Sequence, residues 1–152
     1  MDLKNEALNH FFVDVFNEIL KTEEVALSGI SSSNLSMTEI HVIESVCKAE
    51  DSNTACKASD IAQDLRITAG TLTTAVSILE KKGYLTRQRN ESDKRIVNIR
   101  STELGREVNA IHAQFHKEMI DDVLDVLTEE EIIVLLRALG SISTFFRAKY
   151  RK

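Results

Sequence analysis

The sequence predicts a mainly α fold of the α+β type, in which a winged helix-turn-helix is flanked by long terminal helices. Residues 57–106 read as a short helix, a turn, a second helix and two strands around a charged loop. Near both chain ends, apolar residues recur at steps of three and four over long stretches, as in amphipathic helices. The 152 residues include no proline and five glycines, which favours uninterrupted helices around one ordinary core.

Charge distribution separates the central segment from the rest. The chain has 19 basic and 24 acidic residues, which argues against a protein that coats nucleic acid indiscriminately. Residues 57–106 nevertheless contain ten Lys or Arg against six Asp or Glu, a local balance of +4 that leaves −9 for the remainder. A basic module in an acidic body orients a molecule on a polyanion, so double-stranded DNA is the expected partner.

The sequence also indicates the compartment. No apolar run approaches the roughly 18 residues of a membrane span, and the first residues lack the arrangement of a signal peptide. A cytoplasmic location without a membrane partner is therefore expected. Cys47 and Cys56 form no C-x-x-C pair, so neither a disulfide scaffold nor a zinc finger is indicated, and two reduced thiols are expected.

The first part of the chain reads as two helices. The N-terminal helix is predicted from Leu3 to Gly29, because its apolar residues share one face. A polar connector, ISSSNLS, precedes a second helix that runs to about Lys48. Ser36 with Glu39 three residues later forms a capping box that sets the start of this helix. The segment EDSNTA is then a loop.

The central segment contains the helix-turn-helix and its wing. A short helix is expected from Ala58 to Leu65, and a second from the N-cap Thr68 to Lys82, with Gly83 as its stop. Alternating apolar and polar residues predict two antiparallel strands around a wing tip at 90–94, and these are Tyr84–Arg89 and Arg95–Arg100.

Two further helices complete the chain. Ser101 or Thr102 caps a helix that reaches about Val126, and Thr128 with Glu131 forms a capping box for the last helix. The terminal helices are too long and too apolar for the central module to cover, so a two-fold homodimer is expected to bury them and to present two recognition helices to a palindromic operator. The predicted division is a helical dimerisation region at 1–35 and 107–152 around a DNA-binding domain at 36–106.

The exposed face of the second central helix is the candidate for groove contacts. Its residues are small and hydroxylic, which permits close approach and leaves few side chains for direct base hydrogen bonds. Contacts to thymine methyl groups and DNA shape are therefore expected to contribute to specificity. Basic residues around the wing are expected on phosphates, whereas Lys81 is equally explained by the helix dipole. The candidate DNA-binding residues are Thr68, Gly70, Thr71, Thr73, Thr74, Ser77, Lys81, Arg87, Arg89, Lys94 and Arg95.

The stretch LEKKGYLTRQRNESDKRIVNI, followed by STELGRE, resembles the MarR family of dimeric winged-helix regulators, and the resemblance covers essentially the whole chain. Its most specific positions are Leu79, Glu80, Gly83, Asp93, Arg95 and Gly105. The resemblance implies that Arg95 enters the minor groove and that Asp93 helps to hold the wing. An enzyme is not expected, because the sequence has no G-x-S-x-G and no glycine-rich phosphate loop after a strand.

Within the family, the segments EEVALSG, AGTLTTAVSILEKKGY, FHKEM and TEEEI resemble the branch that represses bacterial fatty-acid synthesis genes. That likeness implies a long-chain acyl group on acyl carrier protein as corepressor and no other cofactor. Lys57, Arg66 or Arg106 would form part of a surface for the acidic carrier. The candidate pocket lies between the dimer helices and the DNA-binding lobe, with plain dimer core as the alternative for each residue; it comprises Phe11, Phe12, Phe16, His41, Ile43, Ile111 and Phe115.

A zinc-responsive repressor is the alternative. His112 and His116 lie four apart on one helix face, and Glu24 with His41 would complete a site from neighbouring helices. Zinc-responsive members of the same family resemble this chain in having histidines at about these positions. The four histidines of the chain are also explained as polar neighbours at a helix junction in a helical dimer with no metal. The sequence leaves open the operator, the regulated genes and the direction of the ligand response.

Overall fold

The computed structural model describes residues 2–28, 35–54 and 56–150, which form six helices and a two-stranded sheet. The chain divides into two compact units, one up to residue 113 and one from residue 114. No helix among these described ranges is long and apolar enough to cross a membrane. In chain order the elements are α1 Leu3–Ser28, α2 Met37–Asp51, α3 Ala58–Leu65, α4 Ala69–Lys81, β1 Leu85–Arg89, β2 Val97–Ser101, α5 Glu103–Val126 and α6 Glu129–Lys149.

This architecture confirms the predicted mainly α winged helix-turn-helix. The core of the first unit is one apolar cluster to which α2, α3, α4, both strands and the start of α5 contribute. Its fully buried side chains include Ile43 and Val46 of α2, Leu72 and Leu79 of α4, and Ile99 of β2. Burial of these aliphatic side chains fixes the orientation of α4, because the opposite face of that helix is then left to solvent.

Side-chain caps define the helix starts, as the sequence predicts. Ser36 Oγ accepts a hydrogen bond from the Glu39 backbone N–H at 3.2 Å, and Glu39 Oε2 accepts one from the Ser36 N–H at 3.1 Å. Thr68 Oγ1 caps α4 by accepting a hydrogen bond from the Thr71 N–H at 3.1 Å. At the start of α5, Thr102 rather than Ser101 is the cap, since Thr102 Oγ1 accepts from the Gly105 N–H while Ser101 ends β2.

Two residues with positive φ terminate the helices of the helix-turn-helix. Arg66, at φ 55°, ends α3 in the left-handed region, and Gly83, at φ 84°, follows α4. A third special position is Gly105 in α5. A Cβ atom there would lie 2.4 Å from the Tyr84 carbonyl oxygen, so only glycine lets α5 approach the start of the wing this closely.

The wing differs from the prediction at its second strand. This strand begins at Val97 and not at Arg95, because the Asp93 carboxylate accepts the Arg95 N–H and the Asp93 carbonyl accepts the Ile96 N–H. These bonds keep Arg95 in the turn. Strand β1 begins one residue later than predicted, at Leu85, since the Tyr84 N–H is bonded to the Leu79 carbonyl at the end of α4.

Other boundaries can be compared only in part. Helix α2 continues to Asp51, three residues beyond the predicted end at Lys48. The predicted end of the first helix at Gly29, most of the connector after it and Ala55 of the following loop lie outside the described residues. The division into a region at 1–35 with 107–152 and a domain at 36–106 stays a prediction.

Long helices near both chain ends have exposed apolar faces. In the first unit, α1 exposes Leu8, Phe11 and Phe16 among others. In the second unit, α6 has no buried residue in this chain, and its exposed side chains include Leu136 and Phe145. Faces of this kind are usually covered by another chain or by a ligand.

Candidate DNA-binding surface

Helix α4 presents the hydroxylic face that the sequence predicts. Burial of Leu72, Ala75, Val76 and Leu79 turns the other side of this helix outward. Thr68, Gly70, Thr71, Thr73 and Thr74 are exposed, and Ser77 is half-buried. The exposed residues among 68–74 have short side chains, so a DNA backbone can approach the start of the helix closely.

A cleft of about 530 Å³ lies between this face of α4 and the start of α2. Thr68, Gly70, Thr71 and Thr74 line it, so four of the candidate contacts share one surface. Ser36, the N-cap of α2, and Thr38 in its first turn line the same cleft. Neither was predicted as a DNA contact, and Ser36 was explained by its capping role alone. The sequence feature that could have identified them is a serine or threonine at the start of a helix that packs beside the hydroxylic helix α4.

Hydroxyl hydrogens of α4 are directed into the helix. Thr73 Oγ1 donates to the Ala69 carbonyl at 2.8 Å, Thr74 Oγ1 to the Gly70 carbonyl at 3.0 Å, and Ser77 Oγ to the Thr73 carbonyl at 2.9 Å. Thr73 and Thr74 therefore offer outward only methyl groups and oxygen lone pairs. Such a surface matches thymine methyl groups and base amino groups better than the acceptor edge of guanine.

The wing tip holds its basic residues away from the body of the first unit. The Arg95 side chain is 92% exposed, and its Nε donates to Asp93 Oδ1 at 3.2 Å. Asn90 Oδ1 accepts the Ser92 N–H at 2.9 Å, which closes the turn beneath Arg95. Lys94 is exposed next to it, so the tip presents two cations to solvent.

The remaining basic candidates differ in whether their side chains are exposed or held by hydrogen bonds. Arg89 and Lys81 are exposed. Arg87 is instead held against α4: its guanidinium is 2.6 Å from the Glu80 carboxylate and donates to the Thr73 carbonyl and to Ser77 Oγ. This pairing was not predicted, because Glu80 and Arg87 belong to different elements.

Arg106, considered for a carrier surface, is already paired. Its Nη1 donates to Asp51 Oδ1 and its Nη2 to Glu50 Oε2, both at 2.6 Å, and its Nε donates to Ser101 Oγ at 3.0 Å. The hydrogen bond to Asp51 is the main cause that raises the pKa of Arg106 above its ordinary value. These contacts tie the end of α2, the end of β2 and the start of α5 together, which leaves Lys57 and Arg66 as the exposed cations of the three.

A buried polar cluster lies where α1, α2 and α5 meet within the first unit. His112, 1% exposed, has Nε2 at 2.5 Å from Glu23 Oε1, and its Nδ1 lies 3.6 Å from Glu44 Oε2. Ligand atoms of Glu23, His41 and His112 lie within 4.8 Å of one another. Two imidazoles and a carboxylate at these distances are a donor set that zinc accepts.

This cluster includes two of the four residues predicted as alternative metal ligands, and the metal site stays a prediction. His41 and His112 belong to the cluster, but its carboxylate comes from Glu23 and not from Glu24, which is exposed. One residue along a helix is a rotation of about 100°, so neighbouring glutamates face different directions. His116 lies in the second unit, where its ring contacts Phe115.

The predicted ligand pocket is wrong at Ile43, which is fully buried in the core of the winged module because the period of α2 turns it inward with Val42 and Val46. Phe11, Phe16, His41 and Ile111 are exposed, Phe12 is half-buried, and Phe115 lies in the second unit. The structure has an apolar groove elsewhere, of about 420 Å³, between the end of α1 and the start of α2. Its lining is Leu20, Glu24, Leu27, Ser28, Leu35, Ser36, Met37 and Ile40.

A hydroxylic recognition helix with a basic wing defines a class of DNA-binding protein, and sequence comparisons agree with it. The model of the MarR family matches residues 35–97. Two relatives in Bacillus subtilis strain 168 are described as uncharacterized HTH-type transcriptional regulators. YwhA is 29% identical over 89 residues, or 59% of this chain and 64% of its own length. YhjH is 31% identical over 117 residues, 75% of this chain and 65% of its own length. The chain thus spans slightly less than two thirds of both relatives.

Solved structures extend the likeness. FabT of Streptococcus pneumoniae, in a crystal structure with DNA, matches with a TM-score of 0.86 and 34% identity over 95% of this chain and 98% of that chain. The S. aureus MepR–DNA complex matches in fold, with a TM-score of 0.75 and 20% identity over 90% of this chain and 96% of that chain. This chain belongs to the MarR family, and its family and fold are those of DNA-binding transcriptional regulators and not of enzymes.

Proposed function

We propose that this protein is a homodimeric repressor of fatty-acid synthesis genes, with long-chain acyl groups on acyl carrier protein as corepressor. The observation that carries the proposal is the likeness to FabT along nearly the whole chain, at 34% identity. The exposed hydroxylic face of α4 and the 92% exposed Arg95 side chain support direct binding to double-stranded DNA.

Dimerisation is supported by two long helices, α1 and α6, whose apolar faces are largely exposed in the described part of the chain. The exposed side chains include Leu8, Phe11 and Phe16 on α1 and Leu136 and Phe145 on α6, all between 53% and 64% exposed. Burial of these faces would stabilise an assembly by about 25 cal/mol per Å² of apolar area. A second copy of the chain is the expected partner, because a two-fold dimer covers the same face on both chains.

An apolar corepressor is supported by the groove between α1 and α2. Its volume of about 420 Å³ lies within the range of ordinary small-molecule sites, and five of its eight lining residues are apolar. A groove next to the start of α2 is also adjacent to the recognition surface, because Ser36 lines both the groove and the cleft beside α4. Occupation of the groove would thus bear on the position of α4.

The experiment is a fluorescence anisotropy titration of a palindromic duplex, selected by the protein from a random pool. Long-chain acyl carrier protein should tighten binding, while carrier protein without an acyl chain should not. Equal binding with both forms of the carrier would reject acyl corepression and leave DNA binding intact.

A matched pair of leucines tests the groove. Leu20, 52% exposed, lines the groove, and Leu3, 82% exposed, lies at the start of the same helix and not in its lining. Leu20→Gln should abolish the effect of the acylated carrier and keep basal DNA affinity, whereas Leu3→Gln should keep both. Native mass spectrometry verifies that both variants remain dimeric. An acyl effect that survives Leu20→Gln would place the acyl chain elsewhere.

A zinc-responsive repressor is the second candidate, and the cluster of Glu23, His41 and His112 is the observation that favours it. Zinc titration should then raise DNA affinity in the absence of any carrier protein. His41→Ala should remove this response, since His41 is exposed and its loss leaves the core intact. His10→Ala, a change to an exposed histidine paired with Asp14 on α1, is the control. A zinc response that persists in His41→Ala would exclude this cluster.

A further inference from the structure

Arg87 of β1 joins the wing to the recognition helix through contacts at three residues of α4. Its Nη1 donates to Glu80 Oε2 at 2.6 Å. Its Nη2 donates to the Thr73 carbonyl at 3.2 Å and to Ser77 Oγ at 3.0 Å. Its backbone N–H donates to the other Glu80 oxygen, Oε1, at 3.0 Å. The planar guanidinium thus spans two turns of α4 from one point on the wing.

The arrangement also occupies groups that would otherwise be available to DNA. Glu80 neutralises the charge of Arg87, and the two side chains are only 30% and 33% exposed. The Ser77 hydroxyl accepts from Arg87 while it donates to the Thr73 carbonyl. In addition, Glu80 satisfies a backbone donor on β1, one of the two strands of the sheet, which stabilises the wing in its place.

We propose that Arg87 is a positioning residue that holds the wing at a fixed distance from the recognition helix, and not a phosphate contact. The wing tip and α4 engage different parts of the duplex, so both bind together only if their relative position is set in advance. A guanidinium suits this role because its fork can bond to a carboxylate and a carbonyl at once. The inference rests on the proposed DNA binding and deepens it.

Glu80→Gln gives the sharpest test, because the two roles of Arg87 predict effects of opposite sign. If Arg87 contacts phosphate, removal of the Glu80 charge frees Arg87 and removes a repulsion, so the variant binds DNA more tightly. If Arg87 positions the wing, the variant loses the paired carboxylate and binds several-fold more weakly despite its gain in positive charge. Anisotropy titration of the selected duplex decides the sign. Unchanged or tighter binding would overturn the proposal.

The salt dependence of binding separates Arg87 from Arg89, two residues later on the same strand. A lost phosphate contact lowers the slope of log K against log salt concentration by about 0.9. Arg87→Ala should weaken binding about tenfold with no change in slope, as expected for the loss of one charge-assisted hydrogen-bond set. Arg87→Lys should behave like Arg87→Ala, because lysine keeps the charge and not the fork. Arg89→Ala, in contrast, should lower the slope.

A restored slope and affinity in Arg87→Lys would show a phosphate contact and overturn the proposal. Hydrogen exchange without DNA provides a readout that does not depend on operator binding. The Arg87 amide should exchange faster in Glu80→Ala than in the wild type, because its acceptor is gone, while the Ile99 amide, bonded to the Cys56 carbonyl, should not change. Equal exchange at Arg87 in both proteins would count against its positioning role. Failure of the wild type to bind any duplex specifically would instead count against the proposed function.

Discussion

At the scale of single residues, Thr74 shows how hydroxyl orientation limits base reading. Its hydroxyl hydrogen is directed to the Gly70 carbonyl, so its methyl group is the part most available to DNA. Thr74→Val keeps this shape and should leave operator affinity nearly unchanged. Thr74→Ser removes the methyl group and should weaken binding about fourfold, as expected for about 0.8 kcal/mol per buried methyl. Anisotropy titration checks the pair, and the reverse order of affinities would mean that the hydroxyl reads the base.

Arg95 is the residue for which exposure and charge most directly predict a DNA contact. Its side chain is 92% exposed and paired with Asp93, so its removal disturbs no core packing. Arg95→Ala should weaken binding to all duplexes and lower the salt slope by about 0.9. The slope is measured from titrations at several salt concentrations. An unchanged slope would show that the wing tip does not touch phosphates or the minor groove.

Cys47 gives a prediction about stability at high pH. Burial raises the pKa of this thiol above its ordinary value of 9.0, and burial does the same for Cys56. Because the pKa is higher in the folded state, the thiol contributes stability below pH 9 that is lost as pH rises through the folded-state pKa. The free energy of unfolding should thus fall more steeply above pH 9 in the wild type than in Cys47→Ala. Parallel curves from denaturant titrations would contradict this account.

Residue roles were predictable from sequence only where a local pattern determines them. The hydroxylic face of α4 follows from helical spacing, because the buried apolar residues leave only one side to solvent. The choice between Glu23 and Glu24 does not follow, since the small phase error that accumulates along a 26-residue helix decides which glutamate faces His112. Pairing of Arg87 with Glu80 depends on how two elements meet, which no local pattern records.

At the scale of elements, helix starts were predicted better than strand starts. Capping boxes at Ser36 and Thr128 identify their helices because cap and third residue lie within one turn. The start of β2 was wrong because Asp93 draws Arg95 into the turn by side-chain hydrogen bonds. Such bonds compete with the strand ladder and carry no alternating pattern of their own.

Gly105 determines how closely α5 approaches the wing, and its substitution tests that packing. Gly105→Ala should lower stability by about 1–3 kcal/mol, because the added methyl group meets a backbone oxygen that cannot move away. Gly70→Ala is the matched control, since an added Cβ there has only the Thr68 hydroxyl nearby, at 3.9 Å. That change should keep or raise the melting temperature. Equal thermal melts for both variants would contradict the close approach at Gly105.

At the scale of the whole molecule, the uneven charge distribution and the exposed apolar helices point to one arrangement. Under the proposed function, the basic segment faces DNA, and the acidic remainder, with a balance of −9, disfavours nonspecific contact through the rest of the chain. Pairing of Arg87 with Glu80 and of Arg106 with Asp51 reduces the free positive charge of that segment. Affinity should therefore depend strongly on having two copies of the module on one duplex.

Selection of duplexes from a random pool by the purified protein tests whether two winged modules of a symmetric dimer read DNA together. The enriched sequences should be palindromic, with half-sites about 10 bp apart, one turn of the double helix. Native mass spectrometry of the selected complex should then find two chains per duplex. Enrichment of a single asymmetric half-site bound by one chain, or no enrichment at all, would contradict the account.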